Sequence, residues 1–333
     1  MISGQILRWG VIGTGYIAEL MAPRIIEAEA ADLVAVASRK METAQAFAGK
    51  HGIPETFDGW EKMIASDTVD AVYIATPTSL RESIAVAAAR QGKHVLVEKP
   101  FANLASVQRI VAECRENGVG FMDCTHFPHL PRTMLVREDL KEMIGRPWSL
   151  DSAFQFNVSD RNNIRLNPVL EPYGAIGDAG WYNMRAAVEY LPDDVELISA
   201  ETWMTRDEQS GACVMGSGVL RFNDGSTSTW NCGFVSGAVV EELRLSGPKG
   251  VIWIDDFVFI EGSPADECFC YHTGEYKSEK KIPFTKTAPT LMFEDFAAMI
   301  AEPSMFEACV RASERTQSWL DAAWRSAVAN ELI

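Results

Sequence analysis

The sequence predicts an α/β chain with a doubly wound parallel sheet over residues 1–124. An α+β domain with a large, mostly antiparallel open sheet is expected over residues 125–333. Three observations carry this. Strand-length apolar runs alternate with amphipathic stretches as far as Cys124, the spacing of βαβ units. A glycine-rich turn, Gly13-Thr14-Gly15, joins the first such run to the first helical stretch. Beyond Cys124 the runs alternate apolar and polar residues and are separated by turn signals such as Asn223-Asp224-Gly225 and Gly247-Pro248-Lys249-Gly250, the texture of an antiparallel sheet.

In order, Leu7 to Ile12 reads as a strand, Ile17 to Glu29 as a helix and Leu33 to Ala37 as a strand. Thr43 to His51 reads as a helix, Val69 to Ala75 as a strand and Ser79 to Gln91 as an alanine-rich helix. The apolar run from His94 stops at Glu98-Lys99-Pro100, since proline cannot continue the ladder. Asn103 to Asn117 has helical spacing with Asn103 as N-cap and Gly118 as C-cap. Phe121 to Cys124 closes the first set. In the second part Leu130 to Ile144 and Ala175 to Tyr190 read as helices. Strands are expected at Ser149 to Val158, Val195 to Trp203, Val214 to Phe222, Ser226 to Phe234, Glu242 to Ser246 and Gly250 to Ile254. Residues from Leu291 onward are helical again.

The chain has 333 residues, 47% hydrophobic and 23% charged, and a formal net charge of −16. That length supports two domains. The negative balance argues against nucleic acid and anionic membrane surfaces as partners. No apolar stretch has transmembrane length. Met1-Ile2-Ser3-Gly4-Gln5 lacks a basic region followed by a long apolar stretch, so no secretory leader is expected. Seven cysteines without framework spacing fit free thiols and a cytoplasmic location.

Gly13-Thr14-Gly15-Tyr16-Ile17-Ala18 follows the first strand and opens a helix. The first glycine permits the tight turn, the second lets backbone amides approach a pyrophosphate, and the small Ala18 allows close helix–strand packing. The helix N-terminus then favours the phosphates. A nicotinamide dinucleotide on a Rossmann sheet is the expected ligand. At the end of the second strand stand Ser38, Arg39 and Lys40 and no carboxylate. Two cations and a hydroxyl suit a 2′-phosphate, so NADP(H) is preferred, with NAD(H) as the alternative.

Lys99 ends an apolar strand, where open α/β sheets bind ligands. The bland alternative is a surface lysine. If residues 175–190 are helical, Asp178 and Tyr182 lie four apart on one face. Tyrosine is a weak acid, with pKa about 10, and becomes useful near neutral pH when a cation adjoins its oxygen. Lys99 is the candidate cation. Hydride transfer to a carbonyl needs such a proton donor.

These residues resemble the Gfo/Idh/MocA family of nicotinamide-dependent oxidoreductases. The resemblance rests on the glycine loop, Thr76-Pro77-Thr78, the run from Gly92 through Lys99-Pro100 and the Asp178/Tyr182 spacing. The branch it is most similar to holds dimeric dihydrodiol dehydrogenase, NADP-dependent D-xylose dehydrogenase and glucose–fructose oxidoreductase, especially the plant-type stretch Gly-Asp-Ala-Gly-Trp-Tyr-Asn-Met-Arg. The resemblance implies oxidation or reduction of a sugar or small polyol or carbonyl, with Lys99, Tyr182 and Asp178 catalytic. Cofactor contacts are implied for Gly13, Thr14, Gly15, Tyr16, Ile17, Ser38, Arg39, Lys40, Thr76, Pro77, Leu80, Arg81, Glu98, Lys99 and Trp181. Phe127, His129, Phe154 and Arg165 join Asp178 and Tyr182 in the substrate pocket. Two departures stand out. Thr78 and Arg81 replace the usual Asn and His, and Thr125-His126-Phe127-Pro128-His129 is more polar than its counterparts.

Two alternatives stay open, a sugar–sugar oxidoreductase with tightly held NADP and a non-catalytic NADP-binding regulator. No metal is expected, because neither His126/His129 nor Cys268-Phe269-Cys270 with His272 has a matching second half. The open face of the second sheet is expected to form a homo-oligomer, a dimer or tetramer, since broad faces with apolar side chains are rarely bare.

Overall fold

The computed structural model describes residues 6–258, 266–274 and 276–331; Met1 to Gln5, expected to carry no leader, lie outside them. The described residues form two compact units, one within Met1–Thr125 and Pro289–Glu314, the other within His126–Ala288 and Arg315–Ile333.

The first unit alternates strands and helices. They are β1 (Leu7–Ile12), α1 (Tyr16–Glu27), β2 (Ala31–Ser38), α2 (Met41–His51), β3 (Glu55–Asp58), α3 (Trp60–Ile64), β4 (Ala71–Ile74), α4 (Thr78–Arg90), β5 (His94–Val97), α5 (Leu104–Asn117) and β6 (Phe121–Asp123). The strands pair in parallel in the order β3-β2-β1-β4-β5-β6. That is the doubly wound Rossmann order, whose ligand crevice lies at the carboxyl ends of the strands, where the order reverses between β1 and β4. β4 is buried throughout, as is β5 after His94, so both read as unbroken apolar runs. Asn103 accepts from the Ser106 amide and Gly118 takes a left-handed φ of 64°, so both ends of α5 are capped as expected. β3 and α3 are four and five residues long, too short for periodicity to reveal.

Residues after 288 complete this unit's core. Phe293 meets the Trp9 ring edge-on with centroids 5.2 Å apart, and Phe296 lies 5.0 Å from it. Trp9 is wholly buried on β1. Composition carries no sign of which sheet this late segment covers.

The second unit contains α6 (Pro131–Met143), β7 (Ser149–Asn157), α7 (Gly174–Asp178), α8 (Gly180–Tyr190), β8 (Leu197–Arg206), β9 (Cys213–Phe222), β10 (Thr227–Gly233), β11 (Val235–Gly247), β12 (Gly250–Ile254), β13 (Asp266–Thr273) and β14 (Tyr276–Pro283). Its eight strands run in the order β14-β13-β12-β11-β7-β10-β9-β8. Every described pair is antiparallel except β7 with β10. Both turn signals mark hairpins, with Gly225 at φ 86° between β9 and β10 and Gly247 opposite Gly250 between β11 and β12. β14 is charged, and Lys277, Lys280 and Lys281 on an edge strand discourage pairing with another chain. That composition hides it from a search for apolar alternation. Finally, α9 (Ala288–Ala301) and α10 (Pro303–Asn330) close the chain.

The helix expected over 175–190 divides at Ala179 into α7 and α8. The division falls between Gly177 and Gly180, whose missing side chains weaken helix propensity. Asp178 and Tyr182 therefore sit on consecutive helices.

Candidate active site

In the first unit the glycine loop is pinned at both sides. Gly13 N donates to Ala37 O and Ala75 N donates to Ile12 O, at 3.0 and 2.9 Å. Gly13 has φ 108°, and a Cβ there would stand 2.7 Å from Ala75 O. No larger residue fits. Gly15 is the N-cap of α1 with extended backbone and no side-chain cap, and a Cβ there would meet nothing within 4 Å. The Cα of Gly15 thus borders open space at a helix start, where a pyrophosphate can approach the backbone closely. Thr14 and Ile17 are half-buried and Tyr16 is 64% exposed. At the end of β2, Ser38 is half-buried while Arg39 and Lys40 are exposed. The loop and these cations fit a phosphorylated dinucleotide.

The turns after β4 and β5 are braced together. Arg81 is buried, and its Nε donates to Thr76 O at 2.9 Å. Its NH1 donates to Thr78 Oγ1 at 2.8 Å and to Pro100 O at 2.6 Å. These bonds give Arg81 a bracing task in place of the usual histidine, holding Thr76-Pro77 against Lys99-Pro100, whose peptide is cis. Leu80 is 42% exposed. Tyr73 Oη donates to Glu98 Oε1 at 2.7 Å. Burial, with the Glu98 carboxylate beside it, pushes the Tyr73 phenol well above its ordinary range, so it stays a donor. Lys99 follows at 7% exposure. A surface lysine is thereby excluded.

The second unit contributes an aromatic nest on the sheet. Tyr182 is 3% exposed. Its ring packs edge-on to Phe154, with centroids 5.3 Å apart, and against Phe127 at 6.4 Å. Phe156, Phe234 and Phe257 extend the cluster. The Tyr182 hydroxyl lies 3.0 Å from His126 Nε2, and His126 is itself buried. Arg165 donates through Nε to Asp178 Oδ2, and its guanidinium lies 5.6 Å from the Phe156 ring centroid. Both Arg165 and Asp178 remain partly exposed, so a carboxylate and a guanidinium stand side by side at the surface of the nest. His129 is half-buried and Trp181 wholly buried.

This unit thus brings together Phe127, Phe154, Arg165, Asp178 and Tyr182, five of the expected substrate contacts. Sequence reasoning did not pair His126 with Tyr182. The signal was present in the unusual polarity of Thr125-His126-Phe127-Pro128-His129. Among the described residues no group of three or more His, Cys, Asp or Glu is placed to hold a metal ion.

The known proteins decide the family. Residues 7–123 match the family model described as "Oxidoreductase family, NAD-binding Rossmann fold", and residues 140–253 match the GFO/IDH/MocA C-terminal domain. A D-xylose 1-dehydrogenase (NADP(+)) of Haloferax volcanii is 33% identical over 226 residues, covering 67% of this chain and 68% of the relative. The chain belongs to the GFO/IDH/MocA oxidoreductase family. Like its GFO/IDH/MocA relatives it is a nicotinamide-dependent oxidoreductase, and its first unit is the dinucleotide-binding domain. A crystal structure of a 3-ketoreductase from Actinomadura kijaniata with NADP and TDP-benzene superposes with a TM-score of 0.86 at 26% identity, covering 96% of this chain and 97% of that one. The trans-1,2-dihydrobenzene-1,2-diol dehydrogenase of Sus scrofa is 27% identical over 280 residues, 83% of this chain and 79% of the relative. Among the described residues no helix is long and apolar enough to cross a membrane.

Proposed function

We propose that the protein is an NADP(H)-dependent oxidoreductase of a sugar or small polyol or its carbonyl, with Lys99 and Tyr182 handling charge and proton at the reacting oxygen. The place of Lys99, buried just beyond the carboxyl end of β5, carries this reading, because open α/β sheets bind their ligands at the carboxyl ends of the strands. The bound nicotinamide supplies or accepts hydride. Arg39 and Lys40, both exposed just after the end of β2, fit a 2′-phosphate. Tyr182 is the general acid and base, and cationic Lys99 favours the charged forms of the phenol and the alkoxide. Asp178 and Arg165 offer an acceptor and donors to neighbouring hydroxyls. The relative named for D-xylose supports a sugar substrate.

Retention of Lys99, Asp178 and Tyr182 favours catalysis over a regulatory role, since a sensor needs no proton donor. The same reading extends to a homo-oligomer through the uncovered sheet face, where Trp203 is 54% exposed and Trp253 is half-buried beside Thr229 and Arg244.

The test is a panel of aldoses, ketoses, dicarbonyls and vicinal diols with NADP(H) and NAD(H), followed at the nicotinamide absorbance, on wild type, Tyr182→Phe and Lys99→Met. Each substitution is expected to lower kcat by orders of magnitude while NADP binding survives. Near-normal turnover in both variants refutes the assignment.

A further inference from the structure

His126 is 1% exposed and its Nε2 stands 3.0 Å from the Tyr182 hydroxyl. The two rings lie 5.4 Å apart, tilted by 50°. Neither residue needs this bond to pack, since Phe127 and Phe154 already enclose the phenol. A buried imidazole aimed at the oxygen of a proton-transfer tyrosine has a chemical consequence. Phenol loses its proton near pH 10, whereas imidazole gains one near about 6.5. A charge that must appear during turnover is therefore more readily held on the ring of His126 than on a tyrosinate enclosed by aromatic rings.

Resting on the function proposed above, we propose that His126 is the second member of a proton relay and acts through Tyr182 as its positioning residue. During oxidation the carbinol C–H bond breaks and its hydrogen leaves with the electron pair as hydride to NADP+, which is reduced. The substrate O–H proton passes to the Tyr182 oxygen as the Tyr182 proton passes to Nε2 of neutral His126. The products are the carbonyl, reduced cofactor, neutral tyrosine and an imidazolium. The positive charge lost by the cofactor reappears on His126. Reduction runs the same steps backwards, beginning from the imidazolium. The titratable and charged groups on the surrounding elements are His129 on the same turn, Tyr182 and Asp178 on the helices, Arg165 against Asp178, and Glu267, which accepts from the Arg132 amide.

The test uses the full-length protein with NADP. In histidine-15N-labelled wild type, His126 is assigned through its ring couplings and by its loss from His126→Gln. Its Nε2 is expected to be an unprotonated acceptor at neutral pH and to shift when Tyr182→Phe removes the donor. An Nε2 that stays protonated between about pH 6 and 9, or that ignores Tyr182→Phe, overturns the relay. Kinetics give the second readout, with D-xylose and D-glucose as the first probes. His126→Gln keeps an acceptor at the Nε2 position but takes up no proton. It is expected to lower kcat for oxidation roughly tenfold or more with KM and NADP affinity little changed. It should also abolish an acidic limb of the wild-type rate profile centred near the imidazole range. Turnover close to wild type, or a limb that persists in the variant, overturns the relay. A wild-type protein that turns over no sugar, polyol or carbonyl of the panel counts against the proposed function, and the histidine resonance still decides the relay.

Discussion

Replacing Gly13 by alanine tests the cofactor cradle, and its cost follows from two features of the loop. The backbone there has φ 108°, and the new Cβ would lie 2.7 Å from Ala75 O where ordinary contact begins at 3.4 Å. The loop must retreat by the difference, 0.7 Å, or hold a strained residue at a cost of about 1–3 kcal/mol. Retreat is resisted by the bonds from Gly13 N to Ala37 O and from Ala75 N to Ile12 O. If NADP binds only the native loop, that strain weakens binding by about 5- to 150-fold. The same strain lowers the unfolding midpoint of the first unit by roughly 2–12 °C. Gly15→Ala is the internal control. Its backbone, at φ −84°, suits alanine, and the Cβ meets nothing within 4 Å. Its unfolding midpoint should match wild type, while its NADP affinity falls by about tenfold or more because the methyl enters the space of the pyrophosphate. Titration of NADPH fluorescence and thermal unfolding read both effects. Wild-type affinity in Gly15→Ala would show that no pyrophosphate approaches this turn. Wild-type affinity and stability together in Gly13→Ala would refute the strain argument.

Three further outcomes are expected. The double substitution Arg39→Ala with Lys40→Ala removes charge-assisted bonds worth about 1.5–3 kcal/mol each, so NADP affinity should fall about tenfold or more while NAD affinity holds, read as the ratio of the two Kd values. Phe296→Ala removes a buried ring beside Trp9 and should destabilise the first unit by about 3–5 kcal/mol, measured by denaturant unfolding. All seven cysteines are free thiols. Burial pushes Cys114 up to about 12 and Cys213 up to about 11. Native protein should therefore leave the four buried cysteines unreacted with a thiol reagent at neutral pH, and denaturant should release all seven.

The alternating runs of the first 124 residues were legible because the central strands β1, β4 and β5 are buried on both faces while the helices between them bury one. The glycine loop was legible because backbone geometry excludes other residues at Gly13. Lys99 was legible as a strand end, since Pro100 stops the ladder. By contrast, β14 was hidden by its edge lysines, and β3 and α3 by their brevity. The helical span over 175–190 was legible, whereas its division at Ala179 was not: Gly177 and Gly180 weaken the helix there, and Gly180 packs closely on Cys232 of β10.

By itself the sequence determined the succession of elements, the dinucleotide loop with its basic strand end, and the residue types for proton transfer. Periodicity, turn chemistry and strand-end position are local properties that neighbouring residues record. Tertiary structure alone decided that Lys99 is buried, that Arg81 braces two turns, that Phe293 and Phe296 return to cover Trp9, and that His126 meets the Tyr182 hydroxyl. Those facts depend on contacts between residues far apart in the chain, and no pattern of near neighbours encodes which distant side chain a buried polar atom will find.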